Sequence, residues 1–106
     1  MAGQPTWQEL VARHDETAHG KMVDYIAHIT TKADIPPLYR ELLLFAGAAA
    51  IRYRISMQTH ARRALAAGAT SDQLFQAGAL VALSTGFTTM IEVVQVLRDL
   101  DASPDG

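Results

Sequence analysis

The fold depends on one apolar stretch, residues 42–51, which reads LLLFAGAAAI. At ten residues this stretch is much shorter than the ~20 residues that a helix needs to span a bilayer. A helix that is apolar on every side is expected to be buried on most sides of a globular protein. Because its alanines and its glycine let neighbouring backbones approach closely, the stretch predicts tight helix–helix packing rather than a bulky aromatic core.

Two helices are predicted before this stretch. Residues 6–9, Thr-Trp-Gln-Glu, fit a capping box, so the first helix is expected to begin at Trp7. Gly20 is expected to end or interrupt it. Apolar side chains recur at helical spacing from Lys21 to about Lys32, which predicts a second, amphipathic helix.

The apolar stretch itself belongs to a third helix that begins at about Pro37, with Asp34 as a nearby cap. Periodicity alone continues this helix through residues 37–67, because the next helix-ending residue is Gly68. About 30 residues exceed the usual length of a globular helix. A break is therefore expected near residues 52–55.

Two further helices follow, and they complete an all-α pattern. Thr70 and Gln73 fit a second capping box, which predicts a helix up to Gly86. A last helix is expected over about residues 88–100, and no strand pattern competes with it. The sequence thus predicts an all-α fold of about five or six helices joined by short turns.

The chain's length and composition predict one domain that associates with copies of itself. It has 106 residues, of which 49% are hydrophobic and 19% charged, and a formal charge of −2. This length suits a single domain over residues 1–106, with residues 1–5 and 103–106 expected to be disordered ends. Soluble domains average about 25% charged residues, so part of the apolar surface is expected to be covered in a homo-oligomer.

Composition also excludes several classes of function. The sequence has no cysteine, which excludes disulfides, thiolate nucleophiles and cysteine-ligated metal sites. The near-neutral charge, without a long basic run, argues against nucleic acid as a partner, and no apolar run is long enough to predict a membrane span. No signal-peptide pattern is present at the N-terminus, so a cytoplasmic location is expected.

Candidate chemistry concentrates between residues 52 and 63. Tyr53, Ser56 and His60 are spaced i, i+3 and i+7, so they share one face of a continuous helix. A histidine beside a hydroxyl can act as a general acid or base. The alternative is a buried histidine whose ring only hydrogen-bonds a neighbour.

A single carboxylate, Glu41, precedes the apolar stretch. In that setting a carboxylate either pairs with a cation or has a raised pKa, and a raised pKa is what a proton-transfer group needs. Arg40 or Arg52 would give the ordinary ion pair.

Four arginines, a group of histidines and a group of large aromatic residues complete the candidates. Guanidinium groups suit carboxylate or phosphate binding, although a solvated face explains any one of them as well. The histidines lack the spacing of metal ligands, so no metal site is expected. The aromatic residues are interpreted as core or interface anchors. The arginines are Arg52, Arg54, Arg62 and Arg63, the histidines His14, His19 and His28, and the aromatic residues Trp7, Tyr25 and Tyr39.

The stretch from Glu41 to Gly86 resembles the carboxymuconolactone decarboxylase family, which includes the alkylhydroperoxidase D-like proteins. Residues 37–43, PLYRELL, match the family's glutamate segment, and residues 60–70, HARRALAAGAT, match its histidine and alanine-rich segment. Tyr53 and Ser56 stand where the peroxidase branch has the two cysteines of its Cys-x-x-Cys-x-x-x-His signature.

The resemblance implies an alkylhydroperoxidase D-like helical fold, assembled as a trimer or hexamer, in which Glu41 folds back toward His60. It also implies a cofactor-free acid–base enzyme, of the decarboxylase, lyase or isomerase type, acting on a small, anionic substrate that is carboxylated or enolisable. Glu41 and His60 would be catalytic, with Tyr53, Ser56 and either Arg52 or Arg54 binding the substrate. Thiol peroxidase activity is not expected without cysteine. The alternative is a non-catalytic oligomeric binding or scaffold protein of the same fold.

Overall fold

The computed structural model describes residues 3–102, with side chains up to residue 101. Over this range the chain forms six helices and no strand, so the all-α prediction is confirmed. The predicted disorder of residues 103–106 falls outside the described residues, as does that of residues 1 and 2. The helices are α1 (Trp7–His14), α2 (Glu16–Thr31), α3 (Pro37–Ala50), α4 (Arg54–Ala66), α5 (Ser71–Thr85) and α6 (Thr88–Ala102).

Helices α1 and α2 form one unit of the chain, which extends to Asp34. The boundary between them lies at Asp15, whose side chain accepts a hydrogen bond of 3.0 Å from the backbone N–H of Ala18. The predicted boundary at Gly20 and Lys21 is wrong, because this cap starts α2 earlier and Gly20 lies inside the helix. Neither helix contains a buried residue.

Helices α3 to α6 form the second unit, which begins at Ile35. Its first helix is capped by Pro36 without a side-chain hydrogen bond, whereas the predicted cap, Asp34, pairs with Lys32 at 3.6 Å. The single domain over residues 1–106 stays a prediction.

The predicted break between α3 and α4 is confirmed at residues 51–53. The backbone N–H of Arg52 donates to the carbonyl of Ala49, and that of Tyr53 donates to the carbonyl of Ala48, each at 3.0 Å. This pair of bonds is a Schellman motif, which requires a left-handed residue, and Arg52 has φ +55°. The turn reverses the chain so that α3 and α4 pack as a helical hairpin.

Helix α5 begins and ends as predicted. The side chain of Thr70 accepts from the backbone N–H of Gln73 at 3.0 Å, and the Gln73 side chain accepts from the backbone N–H of Thr70 at 2.9 Å. Gly68, with φ +106°, ends the preceding helix region, and Gly86, with φ +97°, ends α5.

The core of the second unit consists mainly of small side chains, which confirms the prediction of close helix packing. An ideal Cβ at Gly78 of α5 would lie 2.5 Å from Val93 Cγ2 of α6. Another prediction is wrong: α3 is not buried on most sides within the chain, because Tyr39, Leu43 and Leu44 are exposed. The buried apolar residues include Phe45, Ala48, Ala49, Met57, Ala61, Ala64, Leu74, Val93 and Val96.

Within residues 3–102, no helix is both long enough and apolar enough to cross a bilayer.

The contact at Gly78 predicts a strong effect of one methyl group. Gly78→Ala should lower the free energy of unfolding by about 1–3 kcal/mol, because the new Cβ cannot fit beside Val93 without displacing α5 or α6. Gly47→Ala in α3 is the control: it meets no atom within 4 Å and should raise that free energy by about 0.5–1 kcal/mol. Urea denaturation measures both.

A double variant tests the cause of the loss. In Gly78→Ala/Val93→Ala the two Val93 methyl groups that would clash with the new Cβ of residue 78 are absent. The double variant should therefore lose less free energy of unfolding than the sum of the two single losses. Strictly additive losses would show that the close approach of α5 and α6 at Gly78 is not the constraint.

Candidate functional site

The hairpin of α3 and α4 brings Glu41 and His60 into direct contact. Glu41 lies in the first half of α3 and His60 in the middle of α4. His60 Nδ1 lies 2.8 Å from Glu41 Oε1, a distance typical of a hydrogen bond to a carboxylate. The Glu41 side chain is 6% exposed and the His60 side chain 17%, so the contact is largely shielded from water while the imidazole keeps some access to solvent.

Arg40 occupies the second oxygen of the same carboxylate. Its Nε donates to Glu41 Oε2 at 3.2 Å, so Glu41 has a partner on each oxygen. Burial raises the pKa of Glu41, but the hydrogen bonds and positive charges of His60 and Arg40 outweigh it and hold the pKa below the ordinary glutamate value. Of the two possibilities open for this carboxylate, the structure shows pairing with a cation and not a raised pKa.

These partners define what the imidazole can do. An ionised carboxylate only accepts hydrogen bonds, so in the neutral ring the proton shared with Glu41 resides on Nδ1. The lone pair of His60 is then on Nε2, which is the atom that can accept a proton. Glu41 also stabilises the imidazolium that forms when Nε2 is protonated.

The two hydroxyl-bearing candidates differ in position. Tyr53 is the N-cap of α4 and is exposed, so it lies outside the helix on which the shared face was predicted. Ser56 is half-buried in the first turn of α4, one turn before His60. The common helical face therefore includes Ser56 and His60 but not Tyr53.

The arginines proposed to bind substrate have partners on α6. Arg54 forms an ion pair with Glu92 and a hydrogen bond with Gln95, while Arg52 Nη1 donates to Thr88 Oγ1 at 3.1 Å. The three α6 partners were not identified from the sequence. The available signal was weak: Glu92 and Gln95 are the two polar residues, one turn apart, of the otherwise apolar stretch 90–97.

The remaining candidates lie at the surface. His14 and His28 are exposed and His19 is half-buried, while Arg62 and Arg63 are exposed. Among residues 3–102, no group of three or more His, Cys, Asp or Glu is placed to hold a metal ion. The large aromatic residues predicted as core or interface anchors are not core residues, since Trp7, Tyr25 and Tyr39 are all exposed.

An apolar groove lies between α3 and α5 and has a volume of about 330 Å³. Neither Glu41 nor His60 lines it. Its lining residues are Tyr39, Leu42, Leu43, Ala46, Ala77, Leu80 and Val81.

Comparison of the chain with models of known families, with curated proteins and with solved structures finds no match. The resemblance given above consequently remains a hypothesis.

The environment of Glu41 predicts how stability depends on pH. Because its pKa is lower in the folded chain than in the unfolded chain, ionised Glu41 stabilises the fold above the ordinary glutamate value of 4.5, and this contribution disappears as the pH falls through the folded-state pKa. Glu41→Gln should therefore lower the free energy of unfolding by about 1–2 kcal/mol at pH 7. The difference between the two proteins should shrink below pH 4.5.

Urea denaturation across this pH range measures the effect, and Asp24→Asn is the matched control because Asp24 is exposed in the middle of α2, away from the helix ends. The control should follow the wild-type curve. A Glu41→Gln difference that stays constant down to acid pH would show that ionisation of Glu41 does not stabilise the fold.

Proposed function

We propose that the chain is a carboxymuconolactone decarboxylase-like protein, a cofactor-free acid–base enzyme of the decarboxylase, lyase or isomerase type. Its substrate would be a small carboxylated or enolisable metabolite. The observation that carries the proposal is the 2.8 Å contact between His60 Nδ1 and Glu41 Oε1, which is largely shielded from water. The correspondence of residues 37–43 and 60–70 to the family's motifs supports the same assignment.

In this proposal His60 moves the proton and Glu41 positions it. His60 Nε2 takes a proton from the carbon next to a carbonyl or carboxylate, and returns it to the carbon or oxygen that carries the developing charge. Glu41 holds the ring in one orientation through Nδ1 and stabilises the imidazolium between these steps. Arg40 keeps Glu41 ionised, so that it accepts a hydrogen bond throughout.

The substrate-binding residues follow from their position and charge. Ser56, one turn from His60, would hydrogen-bond the substrate, with Tyr53 at the start of the helix as a second donor. Arg52 is the better carboxylate ligand of the two arginines, because its partner Thr88 is neutral. Arg54 is compensated by Glu92 and would position the start of α4 rather than bind an anion.

The proposal includes a cytoplasmic homo-oligomer, a trimer or a hexamer. It is supported by a charged fraction of 19%, low for a chain that exposes its whole surface to water, and by the large apolar residues exposed on α3 and α5.

A second candidate is a non-catalytic oligomeric scaffold of the same fold. One observation favours it: both oxygens of Glu41 are satisfied within the chain, by Arg40 and His60. Such a network can stabilise the hairpin without any substrate. Activity and stability of the same variants separate the two candidates.

The enzyme proposal predicts proton exchange at carbon. Incubation with small lactone carboxylates and β-keto acids in D₂O should remove the signal of the proton next to the carbonyl, as followed by ¹H NMR. His60→Gln should reduce this exchange by about 10²–10⁴-fold, the typical contribution of a general acid or base. Glu41→Gln should reduce it less, because Nε2 remains present.

His28→Gln is the control, since His28 is an exposed histidine of α2 and should leave the rate unchanged. Exchange that persists in His60→Gln would overturn the assignment. The scaffold candidate would be favoured if none of these compounds exchanged with folded wild-type protein.

A further inference from the structure

Two uncharged segments border the apolar groove between α3 and α5. Residues 42–51 and residues 73–91 contain no Asp, Glu, Lys, Arg or His. The second segment covers nearly all of α5 and the start of α6. A surface helix normally carries charged residues on its outer face, so this face lacks what a permanently solvated surface needs.

The uncharged segments are not hidden inside the chain. Leu43 and Leu80, which line the groove, are each 59% exposed, and Leu83 on the next turn of α5 is 77% exposed. Phe87, just after α5, is 76% exposed. The face therefore combines an apolar groove with large apolar side chains that protrude beside it.

We propose that the groove between α3 and α5 is the surface on which a second copy of this chain docks, with two-fold symmetry. The protruding leucines of α5 in each copy insert against the groove of the other copy. This inference rests on the self-association included in the proposed function, and it selects the hexamer because a trimer contains no two-fold contact. It is independent of the chemistry of Glu41 and His60.

Symmetry and charge both favour a second copy as the occupant. In a two-fold contact the same surface patch must be complementary to itself, and a groove beside protruding side chains on one face meets this condition. A face without charge has no electrostatic pattern with which to select a different protein. An apolar, charge-depleted surface is also typical of permanent homodimer interfaces.

The apolar area is adequate for a stable contact. From the exposed fractions of Tyr39, Leu43, Leu80 and Leu83, these side chains offer on the order of 500 Å² per copy, a large part of the ~800 Å² that each partner contributes to a standard interface. A self-association of measurable affinity follows.

Charge substitution on the groove tests the surface. Light scattering of the wild type at micromolar concentration should give an even multiple of the 11.5 kDa chain mass. Leu80→Glu should raise the dissociation constant of the two-fold contact by at least about 100-fold, the effect of removing an interface hot spot. Ile55→Glu is the control, because Ile55 of α4 is 66% exposed but does not line the groove.

A disulfide cross-link tests the symmetry. Because the sequence has no cysteine, only the introduced cysteine can form it. In the proposed contact α5 of one copy packs beside α5 of the other, so oxidised Leu83→Cys should form a covalent dimer, whereas Ile55→Cys should remain a single chain on a denaturing gel. Circular dichroism establishes that each variant keeps the wild-type helix content.

The outcomes separate this inference from the proposed function. A monomeric wild type would overturn both the proposed oligomer and this surface. An assembled wild type that Leu80→Glu leaves intact, or that Ile55→Glu disrupts equally, would overturn only the surface. Loss of proton exchange in His60→Gln with assembly unchanged would leave both proposals standing.

Discussion

The second unit of this protein is organised around a buried carboxylate that cannot remain unpaired. Glu41 lies on α3 among apolar side chains, where an isolated charge would cost several kcal/mol. Its hydrogen bond to His60 at 2.8 Å and its ion pair with Arg40 at 3.2 Å supply the missing interactions. Because His60 lies on α4, the same hydrogen bond fixes the hairpin of α3 and α4 and the orientation of the imidazole. Stability and candidate chemistry therefore depend on one contact.

The rest of the unit makes this contact possible. Alanines on the facing sides of α3 and α4 allow the two helices to approach closely enough for a glutamate and a histidine to meet. The left-handed Arg52 turns the chain between them, and Arg54 ties the beginning of α4 to α6 through Glu92. The same apolar sequence that builds the hairpin also leaves leucines exposed on its outer side. The core of small side chains and the exposed apolar face thus both follow from the composition of α3 and α5.

Local features of this fold could be predicted from the sequence, whereas contacts between distant helices could not. The caps at Thr6 and Thr70 and the turn at Gly68 depend on neighbouring residues, and the structure confirms them. The start of α2 was missed because the apolar pattern does not reveal a cap such as Asp15. The partners of Arg54 lie 38 and 41 positions away, where spacing carries no information. Periodicity also cannot distinguish an apolar face in the core from an apolar face at the surface, so the sequence predicts burial for leucines of α3 that the structure shows to be exposed.

The geometry of the hairpin lets Glu41 hold the proton of a neutral His60 on Nδ1, which leaves Nε2 to accept another. Long-range ¹H–¹⁵N NMR of the ring nitrogens, recorded at a pH where imidazole is neutral, identifies the protonated nitrogen. We expect the tautomer protonated at Nδ1 in the wild type and a shift of the Nδ1 resonance in Glu41→Gln, while the resonances of the exposed His28 stay the same in both proteins. A His60 ring protonated at Nε2, or an Nδ1 resonance indifferent to Glu41→Gln, would contradict it.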